Sequence, residues 1–254
     1  MPLLALLFDV DGTLADTERD GHRIAFNAAF REHGLDWNWD ITLYGKLLAV
    51  TGGKERIKHY VNQFRPDYTP PADFDDLVVV LHRAKTQHYT RLLEQGNIPL
   101  RPGVKRLLLE ARNAGLRLAI ATTTTPANVT TLLKCSLADD AVDWFEVIAA
   151  GDIVPAKKPA ADIYRWAMRQ MRLPSAACFA FEDSANGIRS SLAAGVKTLI
   201  TVNDYTVGHN FNGAAAVISD LGEPDAHPTL INGNLHGQTY VNLAAVHAWH
   251  EEGG

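Results

Sequence analysis

The sequence predicts an α/β protein with a doubly wound, parallel-sheet core of the Rossmann-like kind and an α-helical domain inserted into it. Two observations predict the core and a third the insertion. Five short, continuous apolar runs, Leu3 to Phe8, Leu116 to Ala121, Phe145 to Ala149, Cys178 to Phe181 and Val196 to Val202, read as strands buried on both faces. Most of the later runs follow a segment of helical character, the alternation that a parallel sheet covered by helices requires. Between the first run and the second, residues 17–97 read as helices alone. A crossover between parallel strands needs only one helix, so this stretch is an insertion. The expected division is a core of residues 1–16 and 98–254 and a second domain of residues 17–97.

The elements follow in order. The amino end, MPLLALLFDVDG, has no basic flank before its apolar stretch and no small-residue cleavage site after it. The stretch ends within about ten residues, short of a signal core or a membrane span of about 20, and is read as a strand. Helices are expected at Ile24 to His33, Leu43 to Val50, Glu55 to Phe64 and Phe74 to Leu93. Hinges are expected at Asp16 to Glu18 and at Gly96 to Gly103, which holds Pro99 and Pro102. In the core, Val104 to Asn113 stops at Gly115, Ala161 to Arg172 before Pro174, and Ala185 to Ala194 at Gly195; a left-handed C-cap favours glycine. Past Asp220 the chain is rich in Gly, His and Asn, with a weak helical pattern from Tyr240 to His250. There His247 and His250 read as a solvated helix face. Trp37 and Trp39 read as packing of the inserted domain.

Composition excludes several classes. Hydrophobic residues make up 46% of the 254 and charged residues 21%, an ordinary globular usage. The net charge of -5, with basic residues scattered, gives no electrostatic footprint for nucleic acid, so any anion must be held locally. Cys135 and Cys178 form no disulfide framework and no metal-ligand spacing, which suits a reducing cytoplasm. The expectation is a cytoplasmic monomer without membrane or nucleic-acid partners.

Ligands of an open α/β sheet bind beyond the carboxyl ends of its strands. Chemistry-bearing residues follow four of the runs: Asp9-Val10-Asp11-Gly12-Thr13, Thr122-Thr123-Thr124-Thr125, a loop with Lys157-Lys158-Pro159, and Glu182-Asp183-Ser184. Crowded carboxylates repel unless protons or a hard cation neutralise them, and oxygen ligands suit magnesium, with Asp9 and Asp183 the natural ligands. A carboxylate also attacks phosphorus, splitting one hard displacement into two easier ones, which suits Asp9 as nucleophile. Asp11 is placed to protonate the departing alkoxide and then deprotonate water. Thr122 offers a hydroxyl and Lys158 an ammonium to the phosphoryl oxygens. Each residue also has a plainer reading: an Asp pair turning the chain before Gly12, threonines finishing a strand and capping a helix, an exposed lysine pair.

FDVDGTLADTE from Phe8 to Glu18, Thr122 at a strand end, Lys158 before Pro159, and FEDSANGI from Phe181 to Ile188 resemble, in order, the four motifs of the haloacid dehalogenase (HAD) superfamily. The resemblance implies a HAD core with a helical cap, Mg2+ as cofactor, Asp9 as nucleophile and ligand, Asp11 as acid and base with its backbone carbonyl on the metal, Asp183 as ligand, and Glu182 in or beside the ligand set. Asp11 argues against the dehalogenating branch, which lacks it. The insertion point and the segment from Val50 to Arg56 resemble the branch of β-phosphoglucomutase and the CbbY proteins of the Calvin cycle, the latter most closely. That implies a phosphatase for a small phosphorylated sugar, xylulose-1,5-bisphosphate, an inhibitor of Rubisco. Lys54 and the amides of Gly52 and Gly53 would grip the distal phosphate, Glu18 and His22 would face the sugar, and Thr122, Thr123 and Lys158 would hold the reacting phosphate. Glycine amides at a helix start and a flexible ammonium make a ready anion site. Gly53-Lys54 is not a nucleotide P-loop, because Leu48 and Glu55 stand where that motif needs glycine and Ser or Thr. The rival readings are a phosphosugar mutase, a phosphoglycolate phosphatase, and a phosphosugar-binding protein without catalysis.

Overall fold

The computed structural model describes residues 1–50 and 52–252; Thr51, within the segment compared with CbbY, lies outside the described residues. Two compact units emerge, Met1–Asp16 with Pro99–Gly254, and Thr17–Ile98.

Among the described residues the first unit holds seven strands: β1 (Ala5–Phe8), β2 (Arg117–Ala121), β3 (Val147–Ala149), β4 (Cys178–Glu182), β5 (Lys197–Thr201), β6 (Ala216–Ile218) and β7 (Leu230–Asn232). They form one sheet in the order β3-β2-β1-β4-β5-β6-β7. All neighbours are parallel except β6 and β7, which are antiparallel. The doubly wound α/β architecture read from the sequence is therefore present. β1 lies at the centre with β2 on one side and β4 on the other, the place where strand order reverses and ligands bind. The register aligns Phe8 with Ile120 and with Phe181, so Asp9, Thr122, Glu182 and Asp183 reach the same edge of the sheet.

Helices α5 (Val104–Asn113), α6 (Pro126–Leu132), α7 (Asp162–Met171), α8 (Ala185–Ala193) and α9 (Leu243–Glu251) belong to this unit. Successive residues of a strand face opposite sides, and both sides of β1 are buried. Ala5 and Leu7 pack with Ala119, Ala121, Ala180 and the Ile163, Ala167 and Met171 stripe of α7. Phe8 stacks on Phe181 at 4.4 Å between ring centroids, and Phe179 stacks on Trp249 of α9 at 6.2 Å. Burying such rings contributes roughly 1.5–3 kcal/mol apiece.

The tail departs from the sequence reading at two points. β6 and β7 extend the sheet, and β7 reverses direction; neither was read from the sequence, although β6 ends the apolar run Ala214 to Ile218. His250 is buried, its Nε2 2.9 Å from the Ala176 carbonyl, because Trp249 draws this end of α9 onto the sheet; of the supposed solvated face only His247 is exposed. Helix α6 follows the threonines as their plainer reading has it: Thr125 caps it by accepting from Asn128 N–H at 3.4 Å and Pro126 opens it.

The second unit is helical. A wide turn over Glu18–His22 leads into α1 (Arg23–Glu32), followed by α2 (Ile41–Leu47), α3 (Gly53–Phe64) and α4 (Phe74–Glu94). Its core is aromatic: Trp39 lies 4.7 Å from Phe26, 4.9 Å from Phe30 and 5.3 Å from Tyr60, and Trp37 is 5.3 Å from Phe30. Asn27 fastens the α1–α2 connection from within, accepting from Trp39 N–H at 2.8 Å and donating to its carbonyl at 2.9 Å. Both tryptophans are packing residues, as read.

Candidate active site

β1 delivers Asp9 to the sheet edge, and its N–H still donates to the Phe181 carbonyl at 3.0 Å, so its backbone is fixed as firmly as the strand. The chain then turns on the Val10 carbonyl, which accepts from the N–H groups of Thr13 and Leu14 at 3.2 and 2.9 Å. Gly12 has φ of +87°, and a Cβ there would stand 2.2 Å from Asp183 Oδ2. The turn residue must be glycine for the two loops to meet.

Lys158 ties the strand ends together. Its Nζ donates to Asp9 Oδ1 at 2.6 Å and lies 2.6 Å from Glu182 Oε1, and the Lys158, Asp9 and Glu182 side chains are only 7%, 9% and 1% exposed. Tyr164 of α7, fully buried, donates its hydroxyl to the same Glu182 oxygen at 2.6 Å. Glu182 Oε2 is buried with no hydrogen-bond partner and sits against the first turn of α8, where a Cβ at Gly187 would be only 1.8 Å away. Ser184 caps α8 by accepting from Gly187 N–H at 3.1 Å, which places Asp183 just before the helix. Asp183 Oδ2 accepts from Asn203 Nδ2 at 2.8 Å.

Burial dominates the electrostatics. It pushes Asp9 up to about 7, with Lys158 opposing and the carboxylates of Glu182 and Asp11 adding to the rise. Asp183 is raised well above the usual carboxylate range by burial and then by Asp9 and Glu182. For Lys158 burial favours the neutral amine, yet Asp9 and Glu182 overcome it and keep the ammonium charged. One ammonium among three carboxylates leaves two negative charges when all are ionised, the charge of one divalent cation. Oxygens of Asp9, Glu182 and Asp183 lie within 4.8 Å of one another, and Glu182 adds a buried, unpartnered oxygen. Buried, all-oxygen donors so close together fit a hard divalent cation. The Asp11 carboxylate is not one of this trio.

The other residues singled out in the sequence lie as follows. Thr122, at the end of β2, is buried, and its Oγ1 accepts from Thr124 N–H at 3.3 Å; Thr123 is partly exposed. Lys157 points away and pairs with exposed Asp152 at 2.9 Å. In the helical unit, Glu18 accepts from the Tyr44 hydroxyl at 2.5 Å, and Arg56 Nη1 donates to that hydroxyl at 2.9 Å. His22 Nδ1 is 2.9 Å from Lys85 Nζ, and its ring lies 3.9 Å from Tyr89. Gly52, with φ of +98°, is the N-cap of α3, and Gly53 and Lys54 begin the helix. A Cβ on Gly53 would meet His82 at 2.7 Å. Burial, then Lys85 and Lys54, push His82 down to about 4.

Sequence reasoning missed Tyr164, Asn203, Tyr44, Arg56, His82 and Lys85. Asn203 carried a signal, since it follows the fifth apolar run as Asp9 follows the first. Tyr164 and the residues of the helical unit reach their partners only through packing.

Three comparisons bear on this geometry. Residues 3–195 match the model of the haloacid dehalogenase-like hydrolases. The plasmid-encoded protein CbbY of Cupriavidus necator is 45% identical over 247 residues, 97% of this chain and 96% of that one. The crystal structure of CbbY from Rhodobacter sphaeroides in complex with phosphate superposes with a TM-score of 0.77 at 44% identity, over 86% of this chain and 94% of that one. An aspartate-to-asparagine variant of the same protein, in complex with xylulose-1,5-bisphosphate, gives a TM-score of 0.77 at 43% identity over the same shares.

Proposed function

The chain belongs to the haloacid dehalogenase-like hydrolases and is a phosphatase of the CbbY type, and from that membership we propose that it removes one phosphate from a small sugar bisphosphate. The substrate we propose is xylulose-1,5-bisphosphate, giving xylulose 5-phosphate and inorganic phosphate. The observation that carries the reading is Lys158, held at 2.6 Å from both Asp9 and Glu182 with Asp183 alongside. Such a pocket is built to balance the charge of a phosphoryl group in transfer. The identity of the Rhodobacter sphaeroides ligand supports the choice of sugar.

In the first step Asp9 attacks phosphorus and becomes an aspartyl-phosphate while Asp11 gives its proton to the departing sugar oxygen. In the second, Asp11 takes a proton from water, which attacks the aspartyl-phosphate and frees Asp9. Lys158 stays charged throughout and offsets the negative charge gathering on the phosphoryl oxygens. Thr122 and Thr123 donate to those oxygens from the end of β2. Asp9, the Asp11 carbonyl and Asp183, with Glu182 beside them, would hold Mg2+, which when bound neutralises carboxylate and phosphate charge together. In the helical unit, Lys54 with the Gly52 and Gly53 amides would take the second phosphate, and Glu18 and His22 the sugar hydroxyls.

Purified protein with Mg2+ is to be offered xylulose-1,5-bisphosphate, other sugar bisphosphates, β-glucose 1-phosphate and phosphoglycolate, with released phosphate and sugar product both measured. The expected outcome is one phosphate per bisphosphate and strongest turnover with the xylulose compound. Isomerised phosphosugar with almost no free phosphate would replace hydrolysis by mutase chemistry, and best turnover of phosphoglycolate would replace the substrate.

A further inference from the structure

Asn203 stands two residues beyond the end of β5, and both its backbone and its side chain are hydrogen-bonded. Its N–H donates to Thr206 Oγ1 at 3.0 Å, and its carbonyl accepts from Thr206 N–H at 3.0 Å. Its side-chain Oδ1 accepts from Tyr205 N–H at 3.0 Å. With that oxygen engaged, the amide orientation is set, and the NH2 group is what faces Asp183. The stem of this loop is held as well: Arg101 donates to the carbonyls of Thr201 at 3.2 Å and Val202 at 2.5 Å, and also to that of Gly12. Gly12 closes the remaining side, since a Cβ there would be 2.6 Å from Asn203 Nδ2.

We propose that Asn203 is a positioning residue that holds Asp183 by one carboxylate oxygen and so presents its carboxylate to the cation site shared with Asp9. This rests on the reading of the acidic trio as that site. An amide suits the task for a physical reason. It stabilises the ionised carboxylate by a hydrogen bond while adding no positive charge that would compete with the cation. A lysine or arginine in its place would neutralise the ligand it orients. Partners of this kind change metal affinity by about 10–100-fold when removed.

The test measures metal binding apart from turnover. Metal-stripped wild type, Asn203→Ser, Asn203→Ala and Asp183→Asn are titrated with Mn2+, free ion being counted by its EPR signal, with Mg2+ as competitor. Serine retains an acceptor for Tyr205 N–H but is too short to reach Asp183, so the loop is kept while the donor is lost. Both Asn203 variants are expected to bind Mn2+ and Mg2+ about 10–100-fold more weakly, and Asn203→Ser to keep the metal-free melting temperature and to recover most of its kcat at saturating Mg2+. Unchanged affinity in both variants, with binding abolished in Asp183→Asn, overturns the role of Asn203 and leaves the cation site standing. Wild-type affinity in Asp183→Asn removes the cation site itself and the proposal with it.

Discussion

Asp9→Asn is expected to abolish turnover and, in the metal-free protein, to raise stability in a pH-dependent way. The side chain keeps its shape, and its amide oxygen can still accept from Lys158. What is lost is a carboxylate whose ionisation the fold resists. Its value rises from 3.8 to about 7, roughly 3 units, and at about 1.4 kcal/mol per unit ionised Asp9 costs the metal-free fold on the order of 4 kcal/mol. The sign follows from proton binding. Between pH 3.8 and 7 the folded state holds a proton that the unfolded state has lost, so stability falls as pH rises through that window and is level above it. At pH 5 little more than 1 unit of the window has been crossed, and the cost is on the order of 2 kcal/mol. Asparagine carries no such cost. In EDTA at pH 8 the variant should melt several degrees above wild type, at roughly 2–4 °C per kcal/mol for a chain of this size, and at pH 5 the gap should halve. Saturating Mg2+ should raise wild type more than the variant and narrow the gap. Scanning calorimetry at the two pH values, with and without Mg2+, reads all of this. A metal-free variant that melts at or below wild type at pH 8, or an equal gap at both pH values, refutes the electrostatic reasoning; surviving phosphate release refutes Asp9 as nucleophile.

Three further outcomes follow from particular contacts. Lys54→Ala should lower kcat/KM for xylulose-1,5-bisphosphate by about 10–100-fold, the worth of one charge-assisted hydrogen bond, and leave simple monophosphates nearly unaffected; equal losses on both classes would remove Lys54 from the distal phosphate. Gly187→Ala places a methyl group 1.8 Å from Glu182 Oε2, and since Glu182 is fully buried it can move only by leaving Lys158 or Tyr164. A fall of about 1–3 kcal/mol in denaturant-measured stability and a loss of at least about tenfold in phosphate release are expected. Arg101→Met deprives the carbonyls of Gly12, Thr201, Val202 and Ser219 of their shared donor and should cost about 3–5 kcal/mol, read as a lowered urea midpoint.

What the sequence made legible is what the sheet itself places. Asp9, Thr122, Glu182 and Asp183 each follow an apolar run directly, and parallel register carries every such residue to one edge whatever the loops do. Lys158 lies nine residues past the end of β3, too far for that rule, and was found through its place before Pro159. Tyr164 shows where reading stops. As an apolar-face residue of α7 it satisfies the helical pattern whether or not its hydroxyl has a use, and only the packing of α7 against β2 and β3 brings that hydroxyl to Glu182 at the end of β4. The tail illustrates the same limit from the other side. β6 and β7 are three residues each, too short to declare a period, and α9 gains its place from tertiary contacts, with Trp249 laid against Phe179 and the Lys197 ammonium donating to the His250 carbonyl at 2.6 Å.

The helical unit divides in the same way. Gly52 and Gly53 were named through the resemblance of Val50 to Arg56 to the CbbY segment, and here φ of +98° at Gly52 excludes most other residues. Glu18 and His22 were named without their partners, because Tyr44, Arg56 and Lys85 come from three other helices. Those partners alter what the named residues can do. Glu18 is already an acceptor for Tyr44, so a sugar hydroxyl must share it or displace the tyrosine, and His22 is fixed against Lys85 and Tyr89 before any ligand arrives. Side chains held this firmly lose little freedom on binding and discriminate by shape. In the proposed function, then, Asp9, Thr122 and Asp183 have positions that the sheet dictates, while the residues proposed to select the sugar, Glu18 and His22, have positions that only tertiary packing dictates. Substitutions in the helical unit should therefore change the preferred phosphosugar long before they change the reaction.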